Sequence, residues 1–236
     1  MSLPYFFEPF SNAQEIMLSE ATQHHLVHVL RMKIKEQFWL TNGKGTRCLM
    51  EINSVEKKSC GITLLDEQFF NKAKCELSIA ISFTKNPSRM EWFLEKATEI
   101  GIAHIIPLIT KRSEKLHWKQ DRFDKIIISA MLQSQQVYLP TLHSPTGLEE
   151  FMTQKFPTQY IAHCEENTEK LFLQDVLQME QDCSILIGPE GDFTPSEIEQ
   201  CLAKSYIPVS LGKTRLRTET AGIVACTLFN LQSNPS

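Results

Sequence analysis

The sequence predicts an α/β protein in two parts, a small N-terminal β-barrel domain over residues 1–72 and a larger α/β domain over residues 73–236. Three observations carry that reading. The first part strings short apolar runs between turn residues, the pattern of consecutive hairpins. From Leu77 onward, apolar runs of strand length alternate with amphipathic stretches of helical period, the pattern of βαβ units. The polar stretch Asn71 to Lys74 lies where the period changes, which marks a boundary.

In the first part, Ser19 to Leu30 is a helical candidate carrying His24, His25 and His28. Strands follow at Gln37 to Thr41, Thr46 to Ile52 and Gly61 to Leu65, with Asn42-Gly43 as the first turn. The three histidines lack a further ligand group close in sequence. Packing or RNA contact is therefore favoured over a metal site, and no metal is expected.

In the second part, Leu77 to Phe83 reads as a buried strand. Ser88 and Glu91 then form an S-x-x-E capping box, opening a helix with Met90, Phe93, Leu94, Ala97 and Ile100 on one face and ending at Gly101. Ile102 to Ile109 is the next strand. A second amphipathic helix is expected from Asp121 to Tyr138, strands at Tyr160 to His163 and Ser184 to Ile187, and a helical stretch near Leu171 to Met179. The strand, helix, strand order implies a parallel sheet covered by helices.

Composition narrows the class. A chain of 236 residues with a 42% apolar share can bury a real core, which argues against disorder. No run of ~18 apolar residues exists, and the N-terminus lacks a basic region followed by an apolar stretch. Neither a membrane span nor a secretory signal is expected, and the protein is expected in the cytoplasm. The seven cysteines form no C-x-x-C pair and read as reduced core thiols. The net charge of −4 conceals an asymmetry: seven Lys/Arg stand against three Glu between His28 and Cys60, whereas twelve acids face two lysines between Gly147 and Gln200. Binding of a polyanion depends on the field of one face, so the mild acidity does not argue against it; ordinary solvated charge is the alternative.

In open α/β sheets, ligands bind beyond the carboxyl ends of the strands. Two strand exits stand out. One runs from Ile185 through Gly188-Pro189-Glu190-Gly191 to Phe193, after which Thr194, Pro195 and Glu197 read as a capping box opening a helix. It matches neither a dinucleotide fingerprint nor a P-loop, and it is either a plain turn or a loop exposing backbone groups to a ligand. The other runs from Val209 through Leu211-Gly212 and Arg215-Leu216-Arg217-Thr218-Glu219-Thr220-Ala221-Gly222 into an apolar helix from Ile223 to Leu231. A solvated loop is one account. The other is an anion- or base-handling role, since helix N-terminal amides and a guanidinium both attract negative charge.

These segments resemble the SPOUT superfamily of knotted methyltransferases and, within it, the 16S ribosomal RNA uridine N3-methyltransferase family. The resemblance runs in family order through His25 to Lys33, Lys85, Arg89 to Gly101, Arg112-Ser113, Gln133-Ser134, Ile187 to Gly191, Leu211-Gly212 and Leu216 to Ala221. The family's Glu-Arg-Ser reads Lys111-Arg112-Ser113 here. The resemblance implies a PUA-like β-barrel fused to a trefoil-knotted α/β domain that forms a homodimer and binds S-adenosylmethionine. The implied cofactor residues are Leu186, Ile187, Gly188, Pro189, Glu190, Gly191, Leu211, Gly212, Leu216, Arg217, Thr218, Glu219, Thr220 and Ala221. The implied substrate is uridine 1498 of 16S ribosomal RNA in the small subunit.

On that basis Arg217 or Arg89 is expected to stabilise the uracil oxyanion, and Glu219, placed beside Arg217, to orient the cofactor or base; a proton-accepting role for Glu219 is the less favoured alternative beside an arginine. Arg89 could instead be a solvated first-turn residue. Arg31, Lys33, Lys44 and Arg47 are candidate phosphate contacts in the barrel, with Arg112 a further RNA contact. The competing readings are a ribose 2′-O-methyltransferase of the same superfamily, a methyltransferase acting on another RNA, and a non-catalytic RNA-binding protein with a vestigial knot.

Overall fold

A computed structural model of the chain describes residues 3–56, 59–115, 118–165, 169–178 and 180–233. Lys57, Lys58, Glu166 and Met179, which contribute to the charge and helix expectations, lie outside them. The chain divides into two compact units, one of Met1–Lys72 with Met131–Leu139 and one of Ala73–Ala130 with Pro140–Ser236.

The first unit is a four-stranded sheet. β1 (Tyr5–Phe7) lies parallel to β2 (Gln37–Thr41), and β3 (Thr46–Val55) and β4 (Cys60–Phe69) follow antiparallel in that order. Phe38, Leu40, Cys48, Met50 and Ile52 alternate with more exposed neighbours and meet Phe6 and Leu26 in one core, as the two-residue period of a half-buried sheet requires. Ser19 caps α1 (Glu20–His24) by accepting the Thr22 amide at 3.3 Å, and the chain widens into a π-turn over His25–Val29. The helix expected from Ser19 to Leu30 thus forms, with a change of pitch. His25 stands edge-on to Phe6, and the His24 and His28 rings lie 4.9 Å apart, one helical turn from each other.

The second unit is built on β5 (Leu77–Ile81), α2 (Pro87–Ile100), β6 (His104–Ile109), α3 (Gln120–Gln133), β7 (Thr141–Leu142), β8 (Thr146–Gly147), α4 (Leu148–Phe151) and β9 (Thr158–Ala162). It continues with β10 (Leu171–Phe172), α5 (Leu173–Val176), β11 (Cys183–Ile187), α6 (Pro195–Ala203), β12 (Ile207–Ser210) and α7 (Thr218–Ser233). The strands pair in parallel in the order β10-β12-β9-β11-β5-β6-β7, with β8 on the far end of β6. Every residue of β5 and β11 is buried, as expected of central strands covered on both faces. β11 enters between β5 and β9, both laid down earlier, and α7 then returns to pack on α2, β5 and β11. That return is close: a Cβ at Gly222 would collide with the Phe93 ring, so only glycine fits. Among the described residues no helix is long and apolar enough to cross a membrane.

Several boundaries differ from expectation. Helix α2 is capped by Asn86, whose Oδ1 accepts the Ser88 amide at 3.0 Å, and not by Ser88; Pro87 takes the first helical position, where its missing N–H costs nothing. Gly101 ends the helix as expected, at φ +105°. Helix α3 stops at Gln133 and does not reach Tyr138. Gln135 is left-handed, and the residues beyond it bond within the first unit: Gly45 N–H donates to Val137 O, Leu139 N–H to Gly43 O and Tyr138 Oη to Phe70 O. The stretch near Leu171 is a two-residue strand and one helical turn, too short for a period to be legible. The last helix begins at Thr218 and not Ile223, which turns the Thr218 to Gly222 block into its first turn.

Candidate active site

Beyond the carboxyl ends of β9, β11 and β12 lies a cavity of about 710 Å³. It is walled by Ala162 to Cys164 after β9, by Ile187 to Glu190 and Asp192 before α6, and by Val209 to Thr218 before α7. Arg89, Lys170 and Ala221 complete it.

Each wall has a local cause. After β11 the chain folds tightly over Phe193: a Cβ on Gly188 would lie 3.1 Å from that ring and 3.2 Å from its amide nitrogen, tighter than ordinary contact, so glycine lets the turn close without displacing a neighbour. Asp192 is left-handed at φ +63° and is held there by its own carboxylate, Oδ1 accepting the Phe193 amide at 2.8 Å and Oδ2 the Cys164 amide at 2.7 Å. The second contact ties the β9 wall to the β11 wall. Thr218 ties the third, its buried Oγ1 donating to Gly188 O at 3.2 Å. After β12, the Ser210 hydroxyl donates to Gly212 O at 2.8 Å and accepts the Gly212 amide at 3.3 Å, which braces the turn. Glu197 closes the expected capping box with Thr194 and also accepts the Lys111 amide at 2.8 Å.

The charged groups sort differently from expectation. Arg89 Nη1 lies 3.1 Å from Glu190 Oε1, and its Nε lies 3.7 Å from Glu219 Oε1. Arg89 is thus no idle first-turn residue. Glu219 is only 6% exposed, and its Oε2 has no hydrogen-bond partner among the described residues. Arg217 is exposed, makes no side-chain hydrogen bond or ion pair among the described residues, and serves the helix through its carbonyl, which accepts the Ala221 amide at 2.8 Å. The guanidinium facing Glu219 is therefore that of Arg89 and not Arg217, because Glu219 lies inside the helix while Arg217 stands before it.

Of the expected cofactor residues, Ile187, Gly188, Pro189, Glu190, Leu211, Gly212, Leu216, Arg217, Thr218 and Ala221 line the cavity. Leu186 instead joins the core with Ala80, Ile106 and Phe193. Gly191, Glu219 and Thr220 lie outside the lining. Arg112 donates from Nη1 to Gly191 O at 2.7 Å, so it braces this loop. In the first unit Arg31, Lys33 and Lys44 are exposed. Arg47 is engaged: its guanidinium lies 4.5 Å from the Trp39 ring centroid and 5.0 Å from that of Phe70, and it donates to Gln68 Oε1. The strand-exit rule, if applied to β9, would also have found His163 and Cys164. Burial and the neighbouring Lys170 lower the His163 pKa, so the ring is neutral near pH 7; its Nδ1 accepts the Glu165 amide at 3.2 Å. Cys164 is exposed and Cys60 half-buried, so not all seven thiols belong to the core.

A parallel sheet whose carboxyl-end loops enclose a cavity of this size, with bare backbone on one wall and cations on another, defines an α/β domain that takes a nucleoside-sized ligand. The chain belongs to the RNA methyltransferase family: the RNA methyltransferase domain model matches residues 71–230, and the RNA methyltransferase PUA domain model matches residues 18–65. A probable rRNA-methyltransferase from Porphyromonas gingivalis is 37% identical, with a TM-score of 0.88 and 95% of each chain covered. A ribosomal RNA small subunit methyltransferase E from Neisseria gonorrhoeae, solved bound to S-adenosyl methionine, is 27% identical, with a TM-score of 0.83 and 95% of each chain covered. The ribosomal RNA small subunit methyltransferase E of Rickettsia conorii is 29% identical over 91% of this chain and 88% of its own.

Proposed function

We propose that the chain uses S-adenosylmethionine to methylate N3 of a uridine in 16S ribosomal RNA of the small subunit, uridine 1498 by family resemblance, in the cytoplasm. The observation that carries this reading is the meeting of the Gly188 loop and the first turn of α7 through the Thr218–Gly188 hydrogen bond, with the Arg89–Glu219 pair beside it. The residues fit the cofactor. A volume of about 710 Å³ suits a ligand of that size, Gly188 offers backbone without a side chain, and Pro189, Leu211 and Leu216 offer apolar surface. The loops Leu186 to Gly191, Leu211 to Gly212 and Leu216 to Ala221 would hold it. When bound, it supplies a methyl group on a positively charged sulfur.

The chain's own residues do the rest. Uracil N3 is a weak acid, nucleophilic only once its proton has left and the charge on O2 and O4 is balanced. Arg217, at the cavity rim and without an ion-pair partner among the described residues, and Arg89 supply positive charge for that oxyanion. Glu219, buried and with Oε2 uncommitted, orients the cofactor or the base. Close placement of the two reactants supplies much of the acceleration of an in-line transfer. In the first unit Arg31, Lys33 and Lys44 contact phosphates. Residues 1–72 act as the RNA-binding domain, residues 73–236 as the methyltransferase domain, and the chain works as a homodimer.

The test is incubation of small ribosomal subunits with labelled S-adenosylmethionine, followed by nucleoside mass spectrometry and mapping of the modified base. N3-methyluridine at one position is expected. Methyl on ribose would move the protein to the 2′-O class, and calorimetry showing no cofactor binding would make it a non-catalytic RNA binder.

A further inference from the structure

Between β12 and α7 the chain carries three cations in five residues, Lys213, Arg215 and Arg217. All three are exposed, all three line the cavity, and none of their side chains makes a hydrogen bond or ion pair among the described residues. The loop is nonetheless anchored at both ends, by Ser210 bracing Gly212 and by Thr218 bonding Gly188 O.

The other charges around the cavity are committed. Arg89 faces Glu190 and Glu219, and Lys170 donates to Glu165 O at 2.8 Å. Asp192 spends both oxygens on backbone amides. Among the described residues no acid pairs with the three loop cations, and in a chain of net charge −4 they make a concentrated positive edge. A single unpaired surface lysine means little. Three in one anchored loop at a cavity mouth call for an anion with several charges, and the one carboxylate of S-adenosylmethionine does not supply them.

We propose that Lys213 and Arg215 form a phosphate clamp that grips the RNA backbone beside the target nucleotide and sets which base enters the cavity. The proposal rests on the reading of this cavity as the site of RNA methylation. Arginine forks onto two phosphate oxygens and fixes orientation, while lysine adds charge with little geometric demand. Such contacts carry no sequence information but fix register.

The test is the double variant Lys213→Gln/Arg215→Gln, with affinity for small ribosomal subunits measured across a salt series and S-adenosylmethionine affinity measured by calorimetry. Loss of two phosphate contacts should reduce the slope of log affinity against log salt by about 1.4 to 1.8 and weaken subunit binding at least several-fold at low salt. Cofactor affinity should stay within about twofold, and the thermal midpoint should not move, since both side chains are solvated. The conservative exchange Lys213→Arg/Arg215→Lys should restore the slope. An unchanged slope and subunit affinity in the double glutamine variant overturns the clamp. So does a large loss of cofactor affinity with an unchanged slope, which would give the two cations to the cofactor's carboxylate. A wild-type protein that binds neither subunit nor cofactor would sink the functional reading itself, and the clamp with it.

Discussion

Asp192 is a left-handed residue with a side chain, a conformation that costs on the order of 1 kcal/mol and that its carboxylate offsets through two backbone amides. Asp192→Ala keeps the strain and loses both bonds. Asp192→Gly loses the bonds but also the strain. Urea denaturation should therefore rank wild type above glycine and glycine above alanine, with alanine down by about 2 kcal/mol; glycine at or below alanine would contradict the strain account. The two arginines separate in the same way. Arg89→Ala leaves Glu219 buried without a facing cation, and should lower stability by about 1 to 2 kcal/mol, less than for a fully buried pair because Arg89 is itself a third exposed. Arg217→Ala should leave the melting temperature unchanged yet lose most turnover, with cofactor affinity falling less. Equal loss of turnover and cofactor binding would make Arg217 a cofactor-binding residue instead. Glu219→Gln is the third test: retained single-turnover activity would remove any essential proton transfer from that carboxylate.

At the scale of the element, α6 is the clearest case of a helix specified by its own sequence. Burial pushes the Glu197 carboxyl up, but the amides of Lys111 and Thr194 and the Thr194 hydroxyl outweigh that, and its pKa falls below the ordinary 4.5. A depressed carboxyl contributes stability that is full above its unfolded value and disappears as pH falls through the folded one. Glu197→Gln should thus cost about 1 to 2 kcal/mol at pH 7, and the gap between wild type and variant should shrink as the pH falls below 4.5. A gap that persists in acid would make packing, not charge, its source. This cap was legible because Thr194, Pro195 and Glu197 are neighbours in the chain. The start of α2 was harder, since Asn86 and Ser88 can both cap and the choice turns on Pro87 between them. The end of α3 was not legible at all: the groups that capture Val137 and Leu139 belong to Gly43 and Gly45, more than ninety positions earlier. The same holds in the site. Gly188 to Gly191 and Arg217 to Ala221 announce themselves as strand exits, but the partner of Glu219 is Arg89, which only the return of α7 onto α2 brings near.

At the scale of the molecule, the proposed homodimer can be placed on α7. The buried positions of this helix among the described residues are Thr218, Glu219, Ala221, Gly222, Ala225, Cys226 and Phe229, and the helix packs on α2, α5, β5 and β11. The opposite face carries Ile223, Val224 and Leu228, all only half-buried, and Leu231, which is 69% exposed. Apolar side chains on the outer stripe of a helix belong against a partner, and among the described residues this stripe is left partly open. A second copy covering it would complete the homodimer, and a twofold pairing would set this stripe against itself. Leu228→Asp/Leu231→Asp should then convert a dimer to a monomer by sedimentation, while the far-UV circular dichroism of the folded chain is retained, since neither side chain enters the core. Because α7 also carries Thr218 and Ala221 into the cavity wall, the monomer should bind S-adenosylmethionine more weakly. A variant that stays dimeric would place the interface elsewhere. A wild-type protein that sediments as a monomer at micromolar concentration would remove the homodimer altogether.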